Sequence, residues 1–358
     1  MLFAAVLLVA CKGPAEDTDP PPEDLSVTLP ARGAWGVGYS QEQATYDPGN
    51  GPRTLRLAVW YPTEEESGEE LRYQGLFPAP GVIEGAAPAP GTFPLVAYSH
   101  GHQGYAEASG RMVSQLVSHG YIVVAPDHTG NTAFDGSDRT TEIYWQRPAD
   151  IGAAIDHVQS ASHPLATHLS SDAIVGIGHS FGGYTMHALA GAVYATDTLF
   201  PACADGSDTS PFCSTMSPDQ EARFEAGFRD SRIASVITMA PGDLRLFTTT
   251  GLEQSEVPEL HMTGGLDNPP LDDETWSALD HPGNLRVNLP DGGHNVFSDV
   301  ASGLDTGPEY IDPEIAWPAI GAYWIAWIRA QHGDDTVAPV LDGTLVFGPT
   351  TEVSVGSE

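Results

Sequence analysis

Basic residues are scarce in this chain of 358 residues: Lys12 is its single lysine, and lysine and arginine together number 14 against 48 aspartates and glutamates. The formal net charge of −34 repels polyanions. Because nucleic-acid binding depends on basic side chains that neutralise phosphates, we expect no nucleic-acid partner. Three cysteines are also too few for a disulfide scaffold or a cysteine-rich zinc array.

An apolar run at the start of the chain, residues 2–10, is too short to span a bilayer. It ends at Cys11 and resembles a bacterial lipoprotein signal, in which LVAC at residues 8–11 is the lipobox and Cys11 carries the lipid. We interpret residues 1–10 as a signal peptide, and the lack of a basic segment ahead of it predicts a translation start upstream. This signal implies export and a lipid anchor in the bacterial cell envelope.

The rest of the chain divides by composition into three parts. Residues 11–32 are acidic and proline-rich, which predicts an extended tether after the lipidated cysteine. Residues 33–332 alternate strand and helix patterns and predict one catalytic domain, with an insertion at about residues 193–231. Residues 333–358 are polar and glycine-rich and predict a tail.

The two remaining cysteines, Cys203 and Cys213, lie in a polar loop of the insertion. In an exported protein such a pair is expected to form a disulfide. The alternative is two unpaired thiols on the surface.

Within residues 33–332 the hydrophobic pattern predicts an α/β fold. Residues 54–61 alternate as a half-buried strand does, whereas later strands are unbroken apolar runs, typical of parallel strands covered on both faces. Pro148 is expected in the first turn of a helix that ends near residue 160, and residues 313–332 predict a closing helix whose apolar stripe packs on the sheet. We therefore expect a mostly parallel central sheet flanked by helices on both faces. The predicted buried strands are residues 94–98, 121–125, 173–177, 233–239, 259–263 and 285–289.

The most specific motif is GHSFGG at residues 178–183, a G-x-S-x-G sequence between a predicted strand and a predicted helix. This is the context of a nucleophile elbow, a sharp turn that exposes a serine and needs small neighbours because the backbones approach closely. Ser180 is therefore the candidate nucleophile. A serine beside glycine is otherwise a turn or cap residue, and the strand, the helix and the downstream acid and base favour the catalytic interpretation.

A serine hydroxyl needs a base, and enzymes with this elbow place an acid and then a histidine after the serine. His294 fits this role, because it lies in a glycine-flanked turn directly after a predicted strand. The other histidines are expected to pack or to form hydrogen bonds, including His179 inside the elbow.

The acid of the site must come from the end of a strand between Ser180 and His294. Asp267 is our choice, since it follows the strand at residues 259–263 through two glycines that could direct its carboxylate towards the sheet edge. Asp243, after the preceding strand, is the competing candidate.

Acyl transfer also needs N–H donors for the developing oxyanion. The candidates are the backbone N–H groups of Phe181, directly after the nucleophile, and of His102 in the glycine-bearing loop after residues 94–98. A metal site at His100 and His102 is the alternative interpretation of that loop. It fails on spacing, because no Asp-His pair follows, and we expect neither a metal nor another cofactor.

Five segments of the chain carry a family resemblance: PLVAYSHGHQG, HGYIVVAPDHTGN, RPADIGAAIDHV, IGHSFGGYT and DGGHNVFSD, at residues 94–104, 119–131, 147–158, 177–185 and 291–299. Over about residues 55–332 the chain resembles the branch of the α/β-hydrolases that contains the platelet-activating-factor acetylhydrolases and dienelactone hydrolases. The resemblance implies the α/β-hydrolase fold and a serine esterase that acts on short acyl or lipid-derived esters without a metal. It also implies that Ser180 and His294 are the nucleophile and the base.

Two alternative functions stay open at this point. Related bacterial polyester hydrolases share much of the pattern but carry a tryptophan where this chain has Gly242. The first alternative is therefore a polyester hydrolase. The second is a catalytically silent lipoprotein that uses the fold for binding, although such a protein has little reason to keep Ser180, Asp267 and His294. We expect a small-molecule or lipid ester as substrate and contact with a membrane only through the anchor.

The lipoprotein interpretation predicts that Cys11→Ser, in the gene with its upstream start, moves the protein from the lipid-bound to the soluble fraction. Several acyl chains on one cysteine anchor a protein stably, whereas a single chain binds only marginally. Fractionation of cells fed a labelled fatty acid measures both the label and the location. Unlabelled wild-type protein in the cytoplasm contradicts the prediction.

Overall fold

The computed structural model describes residues 23–279, 281–299, 301–349 and 351–356. The signal peptide and Cys11 lie outside these residues, as does the first part of the predicted tether.

The described residues form strands β1 to β12, and two of these, β3 and β4, make a separate small hairpin. The strands are β1 Gly36–Tyr46, β2 Arg53–Thr63, β3 Arg72–Tyr73, β4 Phe77–Pro78, β5 Val82–Glu84, β6 Leu95–Ser99, β7 Ile122–Pro126, β8 Ile174–His179, β9 Ile233–Met239, β10 Glu259–Gly264, β11 Leu285–Leu289 and β12 Glu352–Val355.

The helices are α1 Leu25–Thr28, α2 Gly110–Ser118, α3 Thr141–Gln159, α4 Phe181–Ala190, α5 Thr196–Asp205, α6 Pro218–Ala226, α7 Thr248–Leu252, α8 Pro269–Ala278, α9 Pro313–Gln331 and α10 Ala338–Leu341. Short 3₁₀ helices lie at Ala166–His168, Pro211–Thr215, Leu244–Leu246, Ala301–Leu304 and Asp335–Val337. None of the helices in the described part of the chain combines the length and the hydropathy that crossing a membrane requires.

The main sheet has the strand order β12-β11-β10-β9-β8-β6-β7-β2-β1-β5. The strands from β11 to β7 are all parallel, while β2 joins β7 and β1 in antiparallel pairs. Each predicted buried strand falls on a strand of this parallel block, and the predicted strand at residues 54–61 lies within β2. The predicted mostly parallel sheet is confirmed.

Both faces of the sheet are covered, because buried strands alternate their side chains between two apolar cores. Along β6, Val96 and Tyr98 belong to the core that contains α2 and α9, and Leu95 and Ala97 to the core that contains α3 and α4. The parallel block is therefore buried on both sides, as its unbroken apolar runs predict.

The prediction that Pro148 begins a helix is wrong, since α3 begins at Thr141 and holds this proline inside it. An interior proline lacks the N–H that would bond to the carbonyl four residues earlier. Here that carbonyl belongs to Tyr144, and it accepts a 3.0 Å hydrogen bond from the Tyr184 hydroxyl of α4 instead. A tertiary contact that local sequence does not encode thus satisfies the carbonyl and lets α3 continue.

The structure also differs from the predicted tail after Gly333, because that segment packs on the domain. Strand β12 pairs antiparallel with β11, and Val337, Val340 and Phe347 are buried against α9. The predicted stripe of α9 is buried, but so are most of its other side chains. A helix that is apolar all round needs a cover on its outer side, and the C-terminal segment supplies it.

The last residues of the predicted tether are likewise part of the folded domain. The Asp24 carboxylate caps α1 by accepting from the Ser26 N–H at 3.1 Å, Leu29 is buried, and Glu23 forms an ion pair with Arg329 at 2.8 Å. The apolar contact of Leu29 with the core was hidden in a stretch rich in proline and acidic residues.

The insertion folds as α5, a 3₁₀ turn and α6, and it contains the predicted Cys203–Cys213 disulfide with a Cα–Cα distance of 5.0 Å. Its buried Phe212 and Phe224 join an aromatic core with Tyr144 of α3. The insertion therefore supports the helices behind the candidate nucleophile.

The Tyr184 contact predicts that Tyr184→Phe destabilises the fold by about 1–3 kcal/mol, because the buried Tyr144 carbonyl loses its donor. Tyr194→Phe is the matched control, since it removes only the 2.7 Å contact between the two tyrosine hydroxyls. Urea unfolding measures both free energies. Equal stability of the two variants would show that the hydroxyl does not compensate for Pro148.

Candidate active site

The candidate site lies where the chain order of the parallel strands reverses. Strand β6 has β7 on one side and β8 on the other, so the loops that follow β6 and β8 leave in opposite directions. Ser99 at the end of β6 pairs with Gly178 near the end of β8. A crevice at such a switch point, outside the carboxyl ends of the strands, is the usual ligand position in open α/β sheets.

Ser180 occupies a sharp turn between β8 and α4, with φ of +55° and ψ of −115°. Its N–H donates to the Met239 carbonyl at 2.8 Å, and its own carbonyl accepts from Gly183 and Gly242 at 2.8 and 2.9 Å. A Cβ at Gly178 would lie 2.1 Å from the Gly182 carbonyl oxygen. The small residues of the motif are therefore required by close backbone approach, as the elbow hypothesis predicts.

The structure brings Ser180, His294 and Asp267 together in one hydrogen-bonded chain. Ser180 Oγ lies 2.9 Å from His294 Nε2, and His294 Nδ1 lies 2.7 Å from Asp267 Oδ2. The His294 and Asp267 side chains are 37% and 22% exposed, so the chain opens to solvent. This is the arrangement in which a neutral histidine accepts a serine proton and a carboxylate orients the ring.

Two glycine turns position the acid and the base. After β10, Gly265 N–H donates to the Leu289 carbonyl and Leu266 N–H to the Gly292 carbonyl, at 2.8 and 2.9 Å. A Cβ at Gly264 would lie 2.5 Å from the Gly292 carbonyl oxygen, so only glycine permits this contact. The turns after β10 and β11 are thereby held against each other, and Asp267 meets His294.

The competing acid, Asp243, does not contact His294. Its Oδ2 accepts a 2.5 Å hydrogen bond from Arg139, and its Oδ1 lies 3.4 Å from the Tyr144 hydroxyl. Asp243 thus neutralises a cation beside the elbow, and the geometry leaves Asp267 as the partner of the base.

Neighbouring groups shift the protonation equilibrium of His294, the candidate base. Burial of the His294 ring disfavours its charged form, but the hydrogen bond and the charge of Asp267 outweigh that effect and raise the pKa of His294 above its ordinary value. Asp272, close by, has its pKa raised to about 6 by burial and by the negative charge of Asp267. An imidazolium formed at His294 is therefore stabilised by the acid beside it.

His179 packs against the base and holds it, as expected for a histidine inside the elbow. Its Nε2 lies 2.8 Å from the His294 carbonyl oxygen, to which it donates. Burial and the nearby His294 lower the pKa of His179 to about 3, so the ring stays neutral and keeps this donor proton.

The two candidate oxyanion donors belong to chain segments that adjoin the candidate nucleophile, Ser180. Phe181 N–H follows Ser180 at the start of α4, and the loop that carries His102 passes so close that a Cβ at Gly101 would lie 3.3 Å from the Ser180 Cβ. Within the described residues, neither N–H donates to another protein group. Both are thus available to a ligand oxygen.

The histidines of the alternative metal hypothesis do not converge on a common point. His100 is buried, with Nδ1 2.7 Å from the Gly101 carbonyl and Nε2 accepting from the His128 N–H at 3.1 Å. The His102 ring instead contacts the Asn131 amide at 2.8 Å.

Of the described residues, Glu42, His157 and His163 form a further cluster with metal-ligand spacing, away from the elbow. His163 Nδ1 accepts the Leu165 N–H at 3.1 Å, so its proton lies on Nε2 and is donated to Glu42 at 2.8 Å. That nitrogen has no lone pair to offer a metal, and the cluster is explained as two imidazoles that bind one carboxylate. A second cluster, Cys203, Asp208 and Cys213, contains the disulfide and so offers no free thiolate.

Sequence reasoning missed Arg147 and Asn131, which lie directly behind the loop that carries His102. Both side chains are buried. They belong to the segments RPADIGAAIDHV and HGYIVVAPDHTGN. Their place in segments that carry the family resemblance was the available signal. An arginine beside a proline nevertheless indicates a solvent-exposed helix start unless its burial is known.

A mostly parallel sheet, a serine elbow after β8, and an acid and a histidine that follow in chain order after later strands define the α/β-hydrolase fold. The chlorophyllase family model matches residues 70–206, which contain the elbow and the loop of His102. Chlorophyllases are esterases of the α/β-hydrolase type, and the match supports an ester hydrolase. No curated protein sequence matches the chain.

The geometry predicts that Asp267→Asn lowers the pKa of His294, because the charged acceptor that stabilises the imidazolium is lost. Asp243→Asn is the control, since its carboxylate binds Arg139 and not the base. NMR titration of labelled histidines, with His294→Gln for assignment, measures the change. An unchanged pKa in Asp267→Asn, or a lowered one in Asp243→Asn, contradicts the pairing.

Proposed function

We propose that the protein is a serine esterase that hydrolyses carboxylic esters through an acyl-enzyme on Ser180. The observation that carries the proposal is the hydrogen-bonded chain from Ser180 Oγ through His294 to Asp267, with distances of 2.9 and 2.7 Å. The family match supports ester hydrolysis in general, and the resemblance to platelet-activating-factor acetylhydrolases and dienelactone hydrolases supports the serine mechanism.

In the first half-reaction Ser180 Oγ attacks the ester carbonyl carbon while its proton moves to His294 Nε2. The carbonyl oxygen becomes an oxyanion, which the N–H groups of Phe181 and His102 stabilise. The tetrahedral intermediate then breaks its bond to the alkoxy oxygen, and His294 gives the proton to the departing alcohol. Asp267 keeps the imidazolium oriented throughout.

In the second half-reaction a water molecule attacks the acyl-enzyme and gives a proton to His294. Collapse of the second tetrahedral intermediate breaks the bond to Ser180 Oγ, which recovers the proton from His294. The products are one carboxylic acid and one alcohol for each ester and water consumed. Each half-reaction begins with His294 in its neutral form, so the rate rises with pH through the pKa of His294.

The surroundings of the site favour uncharged esters. Asp272 and Asp305 lie close to His294, and the net charge of −34 adds a field that repels anions. Phe134, 50% exposed, packs on Tyr105 beside the loop of His102 and offers an apolar contact. Short-chain acyl esters and lipid-derived esters meet both conditions.

The proposed location is outside the cytoplasm, on a lipid anchor at Cys11. The Cys203–Cys213 disulfide supports it, because such bonds persist in oxidising compartments. The lipid would hold the enzyme at a membrane while the catalytic domain meets its ester in water.

The proposal predicts that the wild type hydrolyses p-nitrophenyl esters of graded acyl length and that Ser180→Ala abolishes this with the fold intact. Asp267→Asn should lower kcat by about 10⁴, as expected when the imidazole loses its orienting carboxylate. A fluorophosphonate probe, with mass analysis of the labelled peptide, identifies the nucleophile independently of the substrate. Failure of the wild type to label would favour a silent binding protein, and retained turnover in Ser180→Ala would refute the mechanism.

A further inference from the structure

Arg147 of α3 is fully buried, yet it has no carboxylate partner. Its Nε–H donates to Thr185 Oγ1 at 3.1 Å, and its terminal nitrogens donate to Asn131 Oδ1 at 3.0 Å, to Ser99 Oγ at 3.2 Å and to the His100 carbonyl. No acidic oxygen of the described residues lies within 4.0 Å of it. Asp150 and Asp243 act on this cation only from beyond contact distance. A buried charge without a counter-charge in direct contact is destabilising, and such groups concentrate at functional sites.

This guanidinium contacts groups that adjoin both candidate oxyanion donors, Phe181 N–H and His102 N–H. The His100 carbonyl begins the loop in which His102 N–H follows two residues later. Asn131, held by Arg147, donates its own amide N–H to the His102 ring at 2.8 Å. On the other side, the guanidinium carbon lies 4.4 Å from the centre of the Phe181 ring.

We infer that Arg147 is a positioning residue that holds the two oxyanion donors, Phe181 N–H and His102 N–H, at the separation the tetrahedral intermediate requires. This inference rests on the proposed esterase function. One planar group with five N–H donors can bind a carbonyl, an amide and two hydroxyls at once, which a lysine cannot do. Arg147 thus ties the loop after β6, the loop after β7 and helix α4 into one unit.

The buried charge adds an electrostatic contribution to this geometric one. A cation shielded from water acts on a nearby developing anion more strongly than an exposed one. Burial lowers the pKa of Arg147 to about 9, so the group still carries its proton at neutral pH.

Arg147→Lys and Arg147→Met test the inference, the first keeping the charge and the second removing it. Arg223→Met is a matched control, because Arg223 also donates to backbone carbonyls, those of Pro48 and Gly49, and lies 4.4 Å over the Trp145 ring, remote from the oxyanion loop. Circular dichroism and thermal unfolding establish that each variant is folded at the assay temperature. If the methionine variant does not fold, the lysine variant decides.

We expect both Arg147 variants to lose about 10²-fold in kcat, the scale of a misplaced catalytic geometry, with KM changed less than about 3-fold. Affinity for a trifluoromethyl ketone, which forms an oxyanion on Ser180, should fall by the same factor as kcat/KM. The acidic limb of the pH profile should not move, because His294 is untouched. Arg223→Met should keep wild-type values in all three measurements.

Three results overturn the inference: kcat within about 3-fold of wild type in a folded Arg147 variant, a rise in KM alone, or an equal loss in Arg223→Met. A wild type that neither hydrolyses esters nor binds the ketone refutes the proposed function and this inference with it. An active wild type with unaffected Arg147 variants refutes this inference alone.

Discussion

The backbone of Ser180 is the constraint around which the site is built. A non-glycine residue with φ of +55° is strained by about 1–3 kcal/mol and persists only where its surroundings hold it. Here the Met239 carbonyl at the end of β9 accepts its N–H, and the N–H groups of Gly183 in α4 and of Gly242 after β9 donate to its carbonyl. This sharp turn places the Ser180 hydroxyl beyond the end of the sheet, within 2.9 Å of His294 Nε2 and next to the candidate N–H donors.

Below this elbow the fold treats buried charge in two different ways. Asp150 has a direct counter-charge in Arg53 at 2.7 Å, and it also accepts hydrogen bonds from the Tyr46 hydroxyl and from His128, whose other ring nitrogen contacts Ser99. Arg147, one turn earlier on α3, is bound by neutral acceptors only. The first arrangement compensates the charge within an ion pair, whereas the second leaves a cation 4.4 Å from the centre of the Phe181 ring, next to the candidate nucleophile.

Most of the fold and the three members of the hydrogen-bonded chain were predictable from the sequence, because β-branched runs and the elbow motif are local signals. The sequence favoured Asp267 but left Asp243 open as the acid, since the choice depends on the contact between the two glycine turns that follow β10 and β11. The start of α3 was predicted wrongly at Pro148, because the Tyr184 hydroxyl of another helix donates to the carbonyl that this proline leaves without an N–H donor. The segment after Gly333 looked like a tail because few apolar residues are needed to cover α9, and Val337, Val340 and Phe347 are spread among polar ones. Arg147 was not predicted as a site residue, because the burial of a charged side chain depends on tertiary packing.

The three members of the chain come from the ends of different strands, β8, β10 and β11, and this governs when the site forms during synthesis. His294 lies 114 residues after Ser180 and 27 after Asp267. A growing polypeptide therefore carries Ser180 long before His294, and contacts of this sequence separation form late because closing long loops is entropically unfavourable. The three side chains thus meet only when β10 and β11 have joined the sheet, so an incomplete or unfolded chain lacks the arrangement on which the proposed hydrolysis depends.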